Sequence, residues 1–381
     1  MLLRVAIVLA LVACKPKSEP AKAPPLAHAG DAGTADAAKS RTLDEELEAI
    51  RSETKLPALA AAVWRNGKLV EIGAVGLRKV DDPTSKVTTK DYWHLGSNTK
   101  AMTATLIGIY VDRGALHWDD TLGKLFGKVD PGYAKVTLDQ ILRHEGGAPG
   151  EPPDALWKQL WADGDKPDAR AKFVAGILAK PPAHTPGIFV YSNAGYMIAG
   201  AALEKVTKKP WQQLMRDELF AKLGMTSCGF GAPGRKDVVD EPWGHDAGGT
   251  PIAPGPAADN PPGLGPAGTV HCSLEDYGKF LAMHSTGEPA LVTPETMQHL
   301  HAARDASTGR GYAGGWLEIT TTRGTVLAHS GSNTMWYVTA MVALASKPDD
   351  KWIFVMATNS GTGNAIENNF ERLVRRHIVP K

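Results

Sequence analysis

Residues 93–114 read WHLGSNTKAMTATLIGIYVDRG and place a serine and a lysine three positions apart, directly before an apolar run. The apolar run predicts a helix, and Gly114 is typical of the residue just past a helix C-terminus. Ser97 therefore lies at the helix start, with Lys100 one turn further along on the same side. A helix start offers free N–H groups and the positive end of the helix dipole. A neighbouring lysine amine can deprotonate a serine there if burial lowers the pKa of the lysine. Taken alone, the spacing is more typical of a serine that only caps a helix.

Two later segments carry polar groups suited to the same chemistry. Residues 186–196, PGIFVYSNAGY, place a phenol at Tyr191 and an amide at Asn193 on one short turn. The phenol can act as a base or proton shuttle, and the amide can hold the lysine or a substrate carbonyl. A buried tyrosine beside a helix-capping asparagine is the structural alternative. At the end of a predicted strand, HSGS at 329–332 offers a glycine that permits close approach of a ligand. The N–H that follows this glycine can act as an oxyanion donor.

Strand patterns occur near both ends of the chain. Residues 43–55 have the periodicity of an amphipathic helix, and Thr42 with Glu45 forms a capping-box pattern. Two strand-like runs around Asn66-Gly67 predict a hairpin. Three further runs, TVLAHSG, WYVTAMVALA and WIFVMATN, precede a helical pattern from Glu367 to His377. Because residues 97–285 are richer in helical segments, we predict an α+β fold. An antiparallel sheet built from both chain ends is flanked by helices and carries an inserted, mainly helical region.

The three motifs resemble those of the serine β-lactamase and penicillin-binding protein superfamily, which has S-x-x-K, Y-x-N and K/H-x-G in this order. The closer resemblance is to the class C β-lactamase-related branch, which includes D,D-peptidases, D-aminopeptidases and esterases. Leu223-Gly224-Met225 and Pro266-Ala267-Gly268 match two further segments of that branch. The resemblance extends from about residue 43 to about residue 377. It implies a β-lactamase/transpeptidase-like fold and a serine hydrolase that uses no metal and no organic cofactor.

The resemblance also implies how the catalytic residues act. Ser97 attacks an amide or ester carbonyl and forms an acyl-enzyme. Lys100 and Tyr191 take the hydroxyl proton and pass it to the leaving group, and Tyr191 then activates water for deacylation.

The remaining motif residues are expected to bind substrate. Asn193 orients the lysine and contacts the acyl group, and the backbone N–H groups of Ser97 and Ser332 hold the oxyanion. His329 and Gly331 form the substrate-binding edge. His144-Glu145-Gly146-Gly147-Ala148 departs from the family's usual H-T-S-G-L, which leaves substrate contacts at that loop open.

The substrate class stays open among cell-wall D-amino-acid peptides, β-lactams and simple esters. His329 stands where a lysine would give a permanent charge for a substrate carboxylate, and an imidazole has an ordinary pKa of about 6.5. We therefore expect weak β-lactamase activity and better activity on esters or uncharged D-aminoacyl amides. A penicillin-binding D,D-carboxypeptidase is one alternative. A binding or scaffold protein that keeps the pocket without turnover is the alternative from another class.

The first 41 residues predict export and anchoring. A short positively charged start is followed by a run of nine apolar residues, 5–13, and then by Cys14. The end of the run, Leu11-Val12-Ala13-Cys14, resembles a bacterial lipobox. We expect residues 1–14 to be a lipoprotein signal peptide that ends in a lipidated Cys14, with an ordinary secretory signal as the alternative. Residues 15–41 form an Ala/Pro-rich tether, and 42–381 form the hydrolase domain. Lys15 after the cysteine favours the outer membrane in a Gram-negative periplasm.

Charge and cysteine content limit the partners of the body. The 381 residues carry a net charge of +1, and six basic and three acidic residues lie in the first 41, so the rest carries −2. A near-neutral body argues against nucleic acid, because phosphate binding needs a basic surplus. The expected partners are a small-molecule or peptide substrate and a membrane reached through the lipid anchor. With Cys14 lipidated, Cys228 and Cys272 remain as a pair, either bridged by a disulfide or present as two buried thiols.

Overall fold

The computed structural model describes residues 41–305, 310–345 and 351–378. The strands are β1 Ala58–Arg65, β2 Lys68–Gly76, β3 Tyr92–His94, β4 Gly229–Phe230, β5 Gly244–His245, β6 Pro251–Ile252, β7 Val270–Ser273, β8 Arg310–Tyr312, β9 Leu317–Thr321, β10 Gly324–Ser332, β11 Tyr337–Leu344 and β12 Trp352–Thr358. The main sheet has seven antiparallel strands in the order β2-β1-β12-β11-β10-β9-β8. The predicted joining of the two chain ends in one sheet is confirmed, since β1 pairs directly with β12.

The helices are α1 Leu43–Thr54, α2 Thr99–Asp112, α3 Leu122–Phe126, α4 Leu138–Leu142, α5 Asp154–Asp163, α6 Ala169–Leu178, α7 Asn193–Thr207, α8 Trp211–Leu214, α9 Ala221–Leu223, α10 Gly265–Gly268, α11 Leu274–Thr286, α12 Pro294–His301 and α13 Asn364–Ile378. Most of them lie between β3 and β8, as the predicted helical insertion requires. Thr42 and Glu45 form the expected capping box at the start of α1. Asn66 and Gly67 both have positive φ, as a tight two-residue hairpin requires.

Alternating side chains of the central strands separate two apolar cores. Leu59, Ala61 and Val63 of β1 pack with the terminal helices α1 and α13 on one face. Ala60, Ala62 and the rest of the opposite set face the helical region. This three-layer arrangement follows from the period-two alternation of a strand between two apolar layers. Trp316 and Trp336 are fully buried core residues.

A small second sheet lies close to the turn that carries Ser97. Strand β7 lies between β3 and β4, and Cys228 and Cys272 form a disulfide that joins the residue before β4 to β7. Of the two alternatives for these cysteines, the structure has the bridged one. Leu95, which follows β3, donates its N–H to Val270 O at 2.8 Å. The turn that carries Ser97 is thereby fixed to this small sheet.

Among the described residues, no helix is both long enough and apolar enough to span a membrane. Cys14 and residues 15–40 of the expected tether lie outside the described residues.

Candidate active site

Ser97 lies on a single 3-10 turn, Gly96–Asn98, that leads directly into α2. The Asn98 side chain donates to Leu95 O at 2.9 Å and to Val338 O at 3.0 Å, which ties this turn to β11. A Cβ on Gly331 would lie 2.5 Å from the Ser97 backbone N. The end of β10 can therefore approach the helix start only because position 331 is glycine.

The expected oxyanion donors meet at this contact. Gly96 has a φ of +52°, and a Cβ there would lie 2.3 Å from the backbone N of Ser332. The first N–H groups of a helix have no intrahelical acceptor, so the Ser97 N–H is available to a ligand. The backbone of Ser97 and that of Ser332 therefore border one point beside the half-buried Ser97 side chain.

Lys100 is fully buried, and its Nζ lies 3.0 Å from Ser97 Oγ, 2.7 Å from Asn193 Oδ1 and 2.7 Å from Ala267 O. Burial lowers the pKa of Lys100 well below its usual value. The two closer partners are oxygens that can only accept, so a neutral amine donates its two hydrogens to them. The remaining lone pair then faces the hydroxyl proton of Ser97. This is the arrangement of a general base beside its nucleophile.

Tyr191 lies in the segment that precedes α7, and Asn193 begins that helix. Ser192 caps α7 by accepting the N–H of Gly195, which places the phenol and the amide on the same side as Lys100. Lys100 Nζ lies 4.8 Å from the centre of the Tyr191 ring. Burial raises the pKa of Tyr191 well above its usual value, and a side-chain hydrogen bond with Ser97 acts in the opposite direction. At neutral pH the residue is therefore a phenol that donates or relays a proton.

His329 is buried, and both of its ring nitrogens have protein partners. Its Nδ1 lies 2.7 Å from Ser330 O and its Nε2 lies 3.0 Å from the Tyr312 hydroxyl. The carbonyl requires the ring proton on Nδ1, so Nε2 accepts from Tyr312. Burial, followed by the nearby Lys100 amine, lowers the pKa of His329 to about 3. The imidazole therefore stays neutral across the whole range in which an ordinary histidine begins to charge.

Several residues that line the site were not identified from the sequence. Ala267 supplies a carbonyl oxygen that accepts from Lys100. In the sequence, its segment indicated a family resemblance but no contact with the lysine. His144 was noted only as the start of a divergent loop. It is buried, accepts the Ser192 N–H at 3.0 Å and lies 4.3 Å, ring to ring, from Tyr191. Nothing in the sequence around Tyr312 indicated its contact with the histidine of the third motif.

The mouth of the site is apolar. Ile188 and Phe189, three and two positions before Tyr191, are 60% and 52% exposed. The Phe189 ring lies 5.8 Å from the Tyr312 ring. An open cavity of about 670 Å³ adjoins this segment, lined by Gly132, Pro182, Ala183, His184, Thr185, Pro186, Ile188 and Val190. Within the described ranges, no group of His, Cys, Asp and Glu side chains is arranged to hold a metal ion.

Comparison with known proteins matches residues 41–376 to the Beta-lactamase family. The chain is 30% identical over 271 residues to penicillin-binding protein 4 of Amycolatopsis lactamdurans, which covers 69% of this chain and 67% of the relative. The fold is shared with an octameric penicillin-binding protein homologue from Pyrococcus abyssi, at 23% identity and a TM-score of 0.70 over 87% of this chain and 76% of that one. It is also shared with a β-lactamase/D-alanine carboxypeptidase from Pseudomonas syringae, at 16% identity and a TM-score of 0.73 over 88% and 98%.

Proposed function

The chain belongs to the Beta-lactamase family, and on that premise we propose that it is a serine hydrolase that forms an acyl-enzyme on Ser97. The observation that carries the proposal is the contact set of Lys100. A buried amine with two obligate acceptors at 2.7 Å presents its lone pair to Ser97 Oγ at 3.0 Å. Such a lysine can take a proton at neutral pH, whereas an exposed one cannot.

Acylation proceeds by a proton relay from Ser97 to the leaving group. The Ser97 oxygen bonds to the substrate carbonyl carbon while its proton moves to Lys100 Nζ, and the carbonyl oxygen becomes an oxyanion beside the Ser97 and Ser332 N–H groups. The carbon–leaving group bond then breaks. The leaving group receives its proton from Lys100 through the Tyr191 phenol, which the high pKa keeps protonated. In deacylation, water attacks the acyl-enzyme ester and gives up a proton to the same relay of Tyr191 and Lys100. The Ser97 oxygen leaves the acyl group and takes this proton, which restores the hydroxyl.

We propose that the preferred substrates are esters or uncharged D-aminoacyl amides, in keeping with the class C β-lactamase-related branch. His329 offers no positive charge to a substrate carboxylate, because both of its ring nitrogens are engaged and its pKa is about 3. Exposed Phe189 and Ile188 suit an apolar substrate group at the mouth. A D,D-carboxypeptidase or β-lactamase is the second candidate, favoured by the similarity to penicillin-binding protein 4.

The substrate proposal is tested by comparing nitrocefin with p-nitrophenyl butyrate in the wild type and in His329→Lys, between about pH 5.5 and 8. The wild type should favour the ester at every pH, and acidification should not improve nitrocefin hydrolysis because His329 does not charge in this range. The lysine variant should gain on nitrocefin about tenfold, the difference between a neutral and a charge-assisted hydrogen bond. Efficient nitrocefin hydrolysis by the wild type, with no gain in the variant, would instead establish the β-lactamase alternative.

We also propose that the protein is a lipoprotein, anchored through Cys14 at the periplasmic side of an outer membrane. The support is the lipobox-like sequence at the end of the apolar run. Cys14→Ser should move the protein out of the membrane fraction, and lipid labelling that persists in this variant would contradict the anchor.

A further inference from the structure

We propose that the segment from residue 256 to 260 clamps both halves of the oxyanion site, with His94, Asp259 and Asn333 as positioning residues. The inference rests on the proposed function, because it concerns the same Ser97 and Ser332 N–H groups. It adds three side chains that belong to none of the recognised motifs.

The first half of the clamp is a buried histidine–carboxylate pair behind the nucleophile. His94 is fully buried, and its Nδ1 accepts the N–H of Gly96 at 3.2 Å. The ring proton must therefore lie on Nε2, which is 2.8 Å from Asp259 Oδ1. Asp259 thus selects the tautomer that can hold Gly96, the residue directly before Ser97. His94 also stacks on Trp336, with ring centres 5.8 Å apart, which limits its movement.

The second half holds the turn after Ser332. Asn333 is buried, and its Nδ2 donates to Ala258 O at 3.0 Å. Its Oδ1 accepts the N–H groups of Met335 and Trp336, both at 3.2 Å. One asparagine therefore fixes the turn between β10 and β11 and links it to the residue next to Asp259.

The two halves act on one contact. The turn at Gly96 and the end of β10 touch so closely that a Cβ on Gly96 would lie 2.3 Å from Ser332 N. Gly96 has a φ of +52°, a conformation that glycine adopts freely, so neighbouring groups must hold it in place. Oxyanion donors stabilise a transition state only if they are oriented before the reaction begins. The segment 256–260 supplies this orientation through its contacts with His94 and Asn333.

Loss of Asp259 has a defined consequence. Without the carboxylate, the His94 ring proton can move to Nδ1. The protonated Nδ1 then repels the Gly96 N–H and can no longer accept its hydrogen bond. Asp259→Ala therefore frees the turn before Ser97. Asn333→Asp keeps the Oδ1 acceptor of the β10–β11 turn, but it replaces the donor to Ala258 O with a carboxylate oxygen that repels this carbonyl. The matched control is Asp276→Asn, because Asp276 is also buried and accepts from Ser227, away from the site.

The experiment measures kcat and KM for p-nitrophenyl butyrate, the inhibition constant of phenylboronic acid and the Tm of each variant. Phenylboronic acid bonds to the serine oxygen and places a boronate oxygen where the oxyanion would lie. Asp259→Ala and Asn333→Asp should each lower kcat about 10- to 100-fold, which is no more than the fall in kcat caused by removing one oxyanion donor. KM should stay within about threefold of the wild-type value. Boronate affinity should fall by a similar factor. The double variant should lose less than the product of the single effects, because both act through one segment.

Asp276→Asn should change Tm without changing kcat or boronate affinity. The clamp is refuted if folded Asp259→Ala and Asn333→Asp both keep kcat and boronate affinity within about twofold of wild type. It is also refuted if Asp276→Asn lowers kcat and boronate affinity as much as these two variants do. If Asp259→Ala does not fold, the Asn333→Asp measurements decide alone. Ser97→Ala run in parallel separates the two claims: undiminished turnover in that variant refutes the proposed function itself, whereas its loss beside a fully active Asp259→Ala refutes only the clamp.

Discussion

At the scale of single residues, the protonation state of Lys100 decides what Ser97 can do. The polar atoms within 3.0 Å of its Nζ, among the described residues, are uncharged oxygens of Ser97, Asn193 and Ala267. Hydrogen bonds donated to uncharged acceptors do not offset the burial of a full positive charge, so burial lowers the pKa of the amine.

Lys100→Arg should therefore abolish acylation rather than weaken it. A guanidinium stays protonated at any working pH and has no lone pair to receive the Ser97 proton. We expect the rate at which the variant releases p-nitrophenol from p-nitrophenyl butyrate in the burst phase to fall by at least about 10²-fold. This factor lies within the range for the loss of a general base. Lys279→Arg is the control and should keep the burst, because the Lys279 side chain is exposed and pairs with Asp276 away from the site. A normal burst in Lys100→Arg would assign the proton to another group.

The spacing of Ser97 and Lys100 made their pairing predictable from the sequence, since one helical turn brings them together. The contacts of Lys100 with Ala267 and of Tyr312 with His329 were not predictable. A backbone carbonyl has no sequence signature, and Ala267 is 167 positions away from Lys100. The sequence predicts a mostly neutral His329 at pH 7, but not the lowering of its pKa to about 3, because an ordinary pKa takes no account of burial.

At the scale of elements, the strands and helices nearest the chain ends followed their patterns closely. The capping box of α1, the Asn66-Gly67 hairpin and strands β10, β11 and β12 depend on local signals of cap, turn and alternation. The two-residue β4 and the 3-10 turn that carries Ser97 depend on tertiary contacts instead. Gly96 and Gly331 show the difference: each is glycine because another segment's backbone lies within 3 Å of its missing Cβ. The sequence around either glycine does not contain that other segment.

At the scale of the whole molecule, the described residues include a set of buried and half-buried histidines that the fold keeps neutral. Burial lowers the pKa of each, to about 4 for His271 and His301 and to about 3 for His329. The histidines of the described residues whose pKa is lowered in this way are His144, His245, His271, His284, His301 and His329. His284 and His301 also share one hydrogen bond of 2.7 Å, which requires an unprotonated acceptor nitrogen.

The free energy of unfolding should therefore fall as the pH drops from about 6.5 towards 4. In this window the unfolded chain takes up protons at histidines with a pKa near 6.5, while the folded protein does not, so stability is highest above the unfolded pKa. Each such histidine contributes up to about 1.4 kcal/mol per pH unit. Urea unfolding at several pH values measures the slope. His301→Gln should reduce it, and His117→Gln, at an exposed site, should leave it unchanged. Equal stability at pH 7.5 and 5 would contradict the burial of neutral histidines.

The identity of the acylated residue is the most direct test of the proposed chemistry. The protein is treated with a fluorophosphonate, which transfers its phosphonyl group to an activated serine oxygen with loss of fluoride, and the adduct is located by mass spectrometry of its peptides. We predict one adduct, on Ser97, with none in Ser97→Ala, whose Tm should stay within a few degrees because a lost hydroxyl costs about 1 kcal/mol. An adduct at another residue, or ester turnover that persists in Ser97→Ala, would contradict the assignment of Ser97 as the nucleophile.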